Sequence, residues 1–424
     1  MAENEYDVLI AGAGASGLAA AIAAAGGGAS VLVLEKNHVP GRKLLSTGSG
    51  KCNFSNLAVT PARYHPSVPG FLEKTFGALG PAEVHSFFDG LGLLRAEKED
   101  GRLFPRSMKA RDVANALLNK LEALKVPVQI LTEVLSITRD KEFFRVETAK
   151  VAPKWDKKAP AGEKKTYTAR RVILACGGAA GPQIGGTDKG YGLLRSLGHC
   201  VSPASPGMAP LKVREILVRE VDGVRLDAKL SLITGGKKLS EASGEILFTS
   251  YGISGPAALD LSRGALLALR GGPVFLEADL FPEYSAQALR ELVSSRAAAF
   301  SGRPFRHFAC GLLNEKVIRA AAALCEIGWD VPAGPGLDKL AAVLKAFPLE
   351  VTGSLGFEDA MLSSGGCSTA EIDPVTFGSK KAEGLYVTGE LLDIEGDSGG
   401  FNLHFAWTSG ILAGRHAAAC GRAT

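Results

Sequence analysis

Three glycines near the N-terminus have the spacing of a phosphate-binding turn: Gly12, Gly14 and Gly17. They follow an apolar run, residues 6–11, and open an alanine-rich segment, residues 15–25. In a strand–turn–helix unit the first glycine permits the tight turn, the second lets the backbone approach a pyrophosphate, and the third lets the helix pack closely on the strand. The phosphates then lie at the positive end of the helix, beside Ala15 and Ser16. The segment therefore predicts a dinucleotide site, with an ordinary glycine-rich turn as the alternative.

An acidic residue stands where such a site needs one. Residues 30–35 form a second apolar run that ends in Glu35, and Lys36 follows it. An acid at this distance from the glycines accepts hydrogen bonds from the adenosine ribose hydroxyls. We therefore assign Glu35 and Lys36 to the cofactor site.

A second glycine-rich segment, near the C-terminus, favours FAD over NAD. It contains the residues that we assign to the ribityl chain and the ring: Gly389, Glu390, Gly399, Gly400, Phe401, Asn402 and Leu403. Glu390 can bind a ribityl hydroxyl, and the helix after the double glycine would point its N–H groups at the O2/N1 edge of a flavin, which stabilises negative charge there. A ligand held by both ends of the chain is long and extended, so we predict FAD. The alternative for this segment is one more crossover in the sheet.

Length and composition indicate a globular protein of two or three domains. The chain has 424 residues, 46% of them hydrophobic and 22% charged, and a net charge of +4 that permits acidic or nucleic-acid partners without requiring them. Acids precede the apolar stretch 8–34 and glycines interrupt it, so we expect neither a signal peptide nor a membrane span. The seven cysteines are scattered without a CxxC pair. They predict reduced thiols in the cytoplasm, without a disulfide framework or a metal site.

The order of apolar runs predicts an α/β fold in which both ends of the chain share one sheet. The predicted elements are a βαβ unit over residues 6–35, a polar loop over 37–56, amphipathic helices over 81–95 and 110–124, and strands over 128–138, 142–149 and 167–175. We predict a Rossmann-like, glutathione-reductase-like FAD-binding domain over residues 1–192 and 348–424. A β-rich substrate domain over 193–260 and 330–347, and a small helical domain over 261–329, would be inserted into it.

Several longer motifs resemble one bacterial family. They are Gly41-Arg42-Lys43, the run from Ser46 to Asn56, Gly101-Arg-Leu-Phe-Pro105, Phe248 to Pro256, Gly384 to Glu390, and Gly399 to Leu403. Together they resemble two-dinucleotide-fold flavoproteins described as aminoacetone oxidase-like enzymes, bile-acid-pathway reductases and ribosomal-RNA dihydrouridine synthases. The resemblance covers nearly the whole chain. It implies non-covalently bound FAD, a β-rich inserted domain and a smaller helical one, but no single substrate.

The resemblance also assigns residues to the cofactor. It implies that Arg42 and Lys43 lie near the FAD phosphates, where two cations make charge-assisted contacts with a diphosphate. Without the resemblance this pair would be read as solvated. It further implies that Ser46, Gly48, Cys52 and Asn53 pass close to the flavin ring. The remaining residues that we assign to the FAD site lie in or after predicted strands: Val134, Ala175, Gly177 and Gly178.

Two side chains are candidates for proton transfer, Cys52 and His404. A thiol beside a flavin could protonate a carbanion after hydride transfer, or simply fill a gap, because buried cysteines are inert unless their pKa is lowered. His404 has better proton-donor chemistry, but within an aromatic stretch it can equally be a packed residue.

Three positions depart from the family pattern. Ser250 stands where relatives have histidine, Lys189 where an acid is usual, and His404 where a neutral amide is usual.

A basic segment, residues 150–171, suggests an RNA contact. It holds eight lysines and arginines against two acids, and Trp155 and Tyr167 lie within it. Such a hairpin could track an RNA backbone, while a solvated surface hairpin is the alternative.

The favoured function is an FAD-dependent oxidoreductase that transfers hydride through flavin N5, reducing an activated C=C bond of a small molecule with electrons from transiently bound NAD(P)H. The alternatives are ribosomal-RNA dihydrouridine synthesis, oxidation of amines or aminoketones with O₂, and a non-enzymatic flavin-bearing binding module. The sequence leaves open the substrate, the electron donor, the direction of electron flow and the oligomeric state.

Overall fold

The chain divides into two compact units, Met1–Ser205 with Leu362–Thr424, and Pro206–Met361. The computed structural model describes residues 4–140, 142–153, 162–214, 220–332 and 336–419. The division confirms that both ends of the chain build one unit and that a central region is inserted into it. The predicted α/β fold with an inserted β-rich region is confirmed by the sheets of the two units.

The first unit is built on a sheet of seven strands within the described residues. In spatial order six of them are Val128–Gln129, Val31–Leu34, Glu5–Ala11, Lys164–Leu174, Phe143–Lys150 and Thr132–Asp140, and Leu385–Val387 also pairs with Lys164–Leu174. Glu5–Ala11 pairs in parallel with Val31–Leu34 and with Lys164–Leu174, and the latter pairs in parallel with Leu385–Val387. Their buried apolar runs suit parallel strands, which are covered on both faces.

Helices cover this sheet, and shorter strands extend the unit. The helices are Ala15–Gly26, Arg42–Gly50, Phe71–Ala78, Pro81–Gly90, Ala110–Ala123, Lys189–Ser196 and Phe401–Ala419. The shorter sheets are Ser55–Asn56 with Arg102–Pro105 and Arg95–Glu97, Tyr64–Pro66 with Ile394–Gly396, and Val201–Gly207 with Leu362–Cys367.

The first and last helices of this unit pack unusually closely. A Cβ on Gly410 would lie 2.2 Å from the Ser16 carbonyl oxygen, and one on Gly414 would lie 2.3 Å from that of Ala20. Any side chain larger than glycine would push the last helix away from the first. This contact keeps the start of the helix Ala15–Gly26 beside the C-terminal segment.

The second unit is a closed barrel with helices. The barrel strands, in spatial order, are Leu211–Val213, Gly252–Ser254, Lys237–Thr249, Arg225–Thr234, Val274–Asp279 and Phe347–Ser354. The helices are Pro256–Ala268, Ala286–Ala299, Phe305–Ala309, Glu315–Leu324 and Leu337–Lys345. No described helix in either unit is long and apolar enough to cross a membrane.

The predicted domain boundaries need correction. Barrel residues such as Leu230 and Phe347 belong to the same buried cluster as Leu289 and Val317 of the helices. Because barrel and helices share one core, they form one unit, and separate β-rich and helical domains are not seen. The unit boundaries also fall at residues 205 and 361, and not at 192 and 347.

Two element predictions were also wrong. Residues 37–56, predicted as a loop, contain the helix Arg42–Gly50, although non-helical dihedrals at Thr47, Gly48 and Ser49 break its end. The predicted strand 128–138 consists of Val128–Gln129 and Thr132–Asp140. A backbone turn through Leu131, with φ +53°, separates the two strands.

Candidate FAD-binding site

The three glycines of the first turn have different structural roles. A Cβ on Gly12 would lie 2.4 Å from the Ala175 carbonyl oxygen, and one on Gly17 would lie 1.9 Å from that of Gly12. A Cβ on Gly14 would meet no atom of the described residues within 4 Å. The fold itself therefore demands Gly12 and Gly17, whereas Gly14 faces free space at the start of the helix. This is the arrangement expected where a backbone must approach a phosphate.

Glu35 joins the glycine turn to the second strand. Its Oε2 accepts a hydrogen bond from the backbone N–H of Ala13 at 2.8 Å, and its Oε1 accepts from the backbone and side chain of Asn37, each at 2.7 Å. The side chain is almost fully buried. Oε1 already accepts two hydrogen bonds, whereas Oε2 accepts one and keeps a lone pair for a ribose hydroxyl. That contact stays a prediction.

Lys36 follows Glu35, directly after the strand Val31–Leu34. Burial lowers the pKa of this ammonium group, while the carboxylates of Glu133 and Glu35 act in the opposite direction. Glu133 is itself bound by Lys189, whose Nζ lies 2.7 Å from its Oε1. Lys189 is the residue that departs from the family pattern, and its positive charge is matched within the unit. Val134 follows Glu133 and is partly buried, packed against the core of the unit.

Arg42 and Lys43 each have a protein partner. Arg42 Nη2 donates to the Gln183 carbonyl oxygen at 2.9 Å, and Lys43 Nζ donates to Oε2 of Glu390 at 2.8 Å. Ser46 is exposed and its hydroxyl donates to the Lys43 carbonyl oxygen. Both side chains therefore have protein partners, and their contact with the FAD phosphates stays a prediction. The ion pair brings the segment after the second strand to the C-terminal glycine-rich segment.

Glu390 lies beside the end of the strand Lys164–Leu174. Its Oε1 accepts from the backbone N–H of Ser363 at 2.9 Å, and a Cβ on Gly178 would lie 2.5 Å from the same oxygen. Gly177 adopts φ +71°, which turns the chain after Ala175. Gly389 adopts φ +64°, and a Cβ there would meet the Ser16 side chain at 2.8 Å. The sequence-predicted residues at these strand ends therefore lie together.

The double glycine packs onto the segment that begins at Asn53. A Cβ on Gly400 would lie 2.5 Å from the Ser55 carbonyl oxygen and 2.8 Å from Oδ1 of Asn53. Asn56 Nδ2 donates to the Gly399 carbonyl oxygen at 3.0 Å. Gly399 and Gly400 both have positive φ, +115° and +99°. Only glycine allows this close backbone contact. The sequence shows the two glycines but not the residues that they contact.

Asn53 supplies a test of whether a flavin fits. Its Oδ1 is buried and has no hydrogen-bond partner among the described residues. A buried acceptor without a donor is costly, which indicates a missing partner. A flavin carries an N–H group on its ring and hydroxyls on its ribityl chain, and either type of donor would satisfy this oxygen. Together with the free space at Gly14, the residues present fit FAD.

The side chains at the start of the last helix serve the fold. Asn402 Oδ1 accepts from the Gly396 N–H at 2.8 Å, and its Nδ2 donates to the Gly396 carbonyl oxygen at 2.7 Å. Phe401 is fully buried and packs edge-on against Tyr64. Leu403 is partly buried against the same core. For these three residues any flavin contact would come from the backbone, and it stays a prediction.

Cys52 does not have the environment of a reactive thiol. It is 0% exposed. Burial raises the pKa of the thiol to about 12, against a smaller lowering by a hydrogen bond with Thr47. The group is therefore neutral and inaccessible, which favours the gap-filling alternative over catalysis.

His404 belongs to a buried hydrogen-bonded network. Its Nδ1 lies 2.8 Å from Oγ of Ser55, which lies 2.8 Å from Nε2 of His85. His404 is 0% exposed, and its Nε2 has no hydrogen-bond partner among the described residues. Burial and the nearby His85 lower the pKa of His404 to about 3. This environment favours the interpretation of His404 as a neutral packed residue, and its role as a proton donor stays a prediction. His85 lies within a predicted amphipathic helix and carries no motif that could have revealed this pairing.

The basic segment is described only in part. Residues 154–161, including three of its lysines and Trp155, lie outside the described residues. In the described part Tyr167 is 2% exposed, so its ring cannot stack on a base. Arg170 lies 3.8 Å from a carboxylate oxygen of Asp7. The RNA contact of this segment stays a prediction.

Comparisons with known proteins identify the family of the chain. A family model described as the HI0933-like protein Rossmann domain matches residues 6–416. The chain is 36% identical to the 3-dehydro-bile acid delta(4,6)-reductase of Clostridium scindens, over 96% of this chain and 98% of that protein. It is 27% identical to the ribosomal RNA dihydrouridine synthase of Escherichia coli, over 96% of each chain.

The solved structures agree on the fold. The 3-ketosteroid delta1-dehydrogenase of Sterolibacterium denitrificans superposes with a TM-score of 0.54 at 15% identity, covering 99% of this chain and 100% of that one. At this identity the likeness concerns the fold alone. The matched length and the identity to the reductase show that the chain belongs to the HI0933-like family, whose model describes a Rossmann domain.

Proposed function

We propose that the protein is an FAD-dependent reductase that saturates a carbon–carbon double bond conjugated to a carbonyl group, with NAD(P)H as the electron donor. The observation that carries the proposal is the position of the C-terminal glycine-rich segment, which meets the first glycine turn at Gly389–Ser16. The same segment meets the residues after the second strand at Lys43–Glu390 and at Gly400–Asn53. The reductase relative, similar over almost its entire length, supports the type of bond. Bound FAD would supply the hydride chemistry at its N5 atom.

The residues of this chain would bind and orient the cofactor. The free space at Gly14 and the start of the helix Ala15–Gly26 suit a diphosphate, because backbone N–H groups and the helix dipole both favour an anion there. Glu35 would accept from ribose hydroxyls and Asn53 from a flavin or ribityl donor. The start of the helix Phe401–Ala419 would stabilise negative charge on a reduced ring.

Neither predicted acid is suited to protonate the substrate. Cys52 and His404 are both fully buried, and the pKa of His404 is about 3. We therefore expect protonation of the substrate carbon to involve neither side chain. The two side chains instead pack the segment that carries Asn53 and Ser55.

A uridine in ribosomal RNA is the second candidate substrate. Its C5=C6 bond is also conjugated to a carbonyl group, and the Escherichia coli relative is named for this product. Lys164, Lys165 and Arg171 provide basic side chains on one strand. A uridine would have to be flipped out of its stack to reach a flavin.

An anaerobic reduction experiment tests the proposal. The purified protein should be yellow and release FAD on denaturation, and NADH or NADPH should bleach it without oxygen. A conjugated enone steroid should then restore the colour and gain two hydrogens by mass spectrometry. A protein that cannot be loaded with FAD would refute the proposal.

Product analysis separates the alternatives. Dihydrouridine lost from the ribosomal RNA of a deletion strain, without enone turnover, would favour RNA modification. Peroxide formed from amines or aminoketones in air would favour an oxidase. Stable flavin binding without turnover of any of these compounds would favour a binding module.

A further inference from the structure

A cluster of metal-binding side chains lies in the first unit, outside the FAD-binding residues. Its members are His199, Cys367 and Glu371, and Cys200 adjoins them. Nδ1 of His199 lies 3.0 Å from Oε2 of Glu371 and 3.5 Å from Sγ of Cys367. The donor atoms of these three residues all lie within 4.8 Å of one another. The backbone N–H of Cys200 donates to Oε2 of the Glu371 carboxylate at 2.9 Å, which places Cys200 beside the other three residues.

The spacing of these atoms approaches that of a tetrahedral zinc site. With Zn–N and Zn–S bonds of about 2.05 and 2.3 Å, two tetrahedral ligands are about 3.5 Å apart for nitrogen and sulfur, and about 3.3 Å apart for nitrogen and oxygen. The observed separations from Nδ1 of His199 are 3.5 Å to Cys367 and 3.0 Å to Glu371. A zinc ion would require only small side-chain movements around this histidine.

The surroundings of His199 also suit a metal ligand. Its side chain is fully buried, and Nε2 lies 2.8 Å from Oγ of Ser379. A ligating imidazole usually donates its other ring N–H to an oxygen, which fixes the tautomer and leaves the first nitrogen free for the metal. Lys381 Nζ, 3.5 Å from Oε1 of Glu371, is placed to orient the carboxylate through its other oxygen.

We propose that these four residues bind a Zn²⁺ ion as a closed structural site. Imidazole, thiolate and carboxylate groups all ligate zinc, and binding would release the thiol protons to solvent. No short sequence motif announces such a site. His199 and Cys200 are adjacent, but Cys367 lies 168 positions after His199.

The position of the cluster indicates what the ion would do. Cys200 immediately precedes the strand Val201–Gly207, and Cys367 ends the strand Leu362–Cys367. These two strands pair with each other and carry the chain out of the first unit and back into it. A zinc ion would cross-link the start of the strand Val201–Gly207 to the end of the strand Leu362–Cys367. The competing interpretation is a purely hydrogen-bonded His199–Glu371 pair with two inert thiols nearby.

Metal analysis of the full-length protein tests the proposal. The protein is loaded with Zn²⁺, dialysed and analysed by elemental mass spectrometry, and in parallel titrated with Co²⁺. We expect stoichiometric zinc and a thiolate-to-cobalt charge-transfer band in the wild-type protein. Cys367→Ala should lose both. Cys325→Ala, which removes a buried thiol of the second unit, is the matched control and should retain both.

A second variant keeps the test decisive if Cys367→Ala does not fold. Cys200 is exposed, so Cys200→Ala should fold, and we expect it to weaken zinc binding at least tenfold and to reduce the cobalt–thiolate band. Wild-type protein that binds no zinc and gives no thiolate band would overturn the proposal. So would zinc binding that survives both substitutions, because the ion would then lie elsewhere. These readouts do not depend on FAD or on turnover.

Discussion

Nζ of Lys43 lies 2.8 Å from Oε2 of Glu390, although 347 positions separate the two residues. Both side chains are less than one third exposed. The second oxygen of Glu390 accepts from the backbone N–H of Ser363. The carboxylate therefore holds together two parts of the candidate site that the sequence presents at opposite ends of the chain. A partly buried ion pair of this kind contributes more than an exposed one.

We expect Glu390→Gln to weaken FAD binding several-fold and to lower the free energy of unfolding by about 1 kcal/mol, because it removes the charge while keeping an acceptor for Ser363. Lys43→Met should have a similar effect. Because both substitutions remove the same ion pair, the double variant should lose little more stability and FAD affinity than either single variant.

Flavin fluorescence titration measures the FAD affinity, and urea unfolding measures the free energy of unfolding. Lys238→Met, which breaks an exposed ion pair with Glu241, is the control. Unchanged FAD affinity in both single variants would contradict the proposed role.

The first glycine turn allows binding and folding to be separated. Gly14→Ala adds a Cβ that meets no described atom within 4 Å, so the FAD-free protein should unfold at the wild-type temperature. Its affinity for FAD should fall at least tenfold, because the methyl group occupies the space expected for the pyrophosphate. Thermal unfolding with and without FAD measures both. Equal FAD affinity in this variant and in wild type would place the phosphates elsewhere.

Gly17→Ala is the matched structural variant. Its Cβ would lie 1.9 Å from the Gly12 carbonyl oxygen, so the turn or the helix must move. We expect a loss of several kcal/mol in the free energy of unfolding even without FAD. Gly26→Ala, at the end of the same helix, meets nothing within 4 Å and should be close to neutral. A stable Gly17→Ala variant would show that the described turn is not the one in solution.

The sequence predicted those parts of the site that depend on local patterns. The turn at Gly12, the acid at Glu35 and the helix after Gly400 follow from glycine spacing and apolar runs within about thirty residues. The sequence could not predict contacts that depend on distant packing. Ser55 bridges His85 and His404, and no spacing in the chain encodes that pairing. The shared core of barrel and helices was missed for the same reason.

The buried thiol of Cys52 leads to a chemical prediction. Burial raises its pKa to about 12, whereas Cys200 and Cys310 are exposed. We expect iodoacetamide at pH 8 to modify Cys310 in the native protein, and Cys200 when zinc is absent, but not Cys52. Peptide mass spectrometry after labelling measures this, and denatured protein, in which Cys52 should react, is the control. Rapid native labelling of Cys52 would restore it as a catalytic candidate.

His404 makes stability depend on pH in a defined direction. Its pKa is lowered from 6.5 to about 3 by burial and by His85. Between pH 6.5 and about pH 3 the unfolded chain binds a proton at His404 and the folded chain does not. Unfolding is therefore favoured as the pH falls from about 6.5 towards 3, and the loss approaches about 1.4 kcal/mol per pH unit for one proton. The stabilising effect of the neutral form is fully present above pH 6.5.

We therefore expect His404→Gln to flatten the dependence of unfolding free energy on pH between 6.5 and 5. The glutamine amide can still hydrogen-bond to Ser55 but cannot titrate, so the slope should fall by up to about 1.4 kcal/mol per pH unit. Urea titrations at several pH values measure this slope. His307→Gln removes an exposed imidazole and should keep the wild-type slope. If His404→Gln also keeps the wild-type slope, then His404 is charged in the folded protein, and its role as a proton donor would have to be reconsidered.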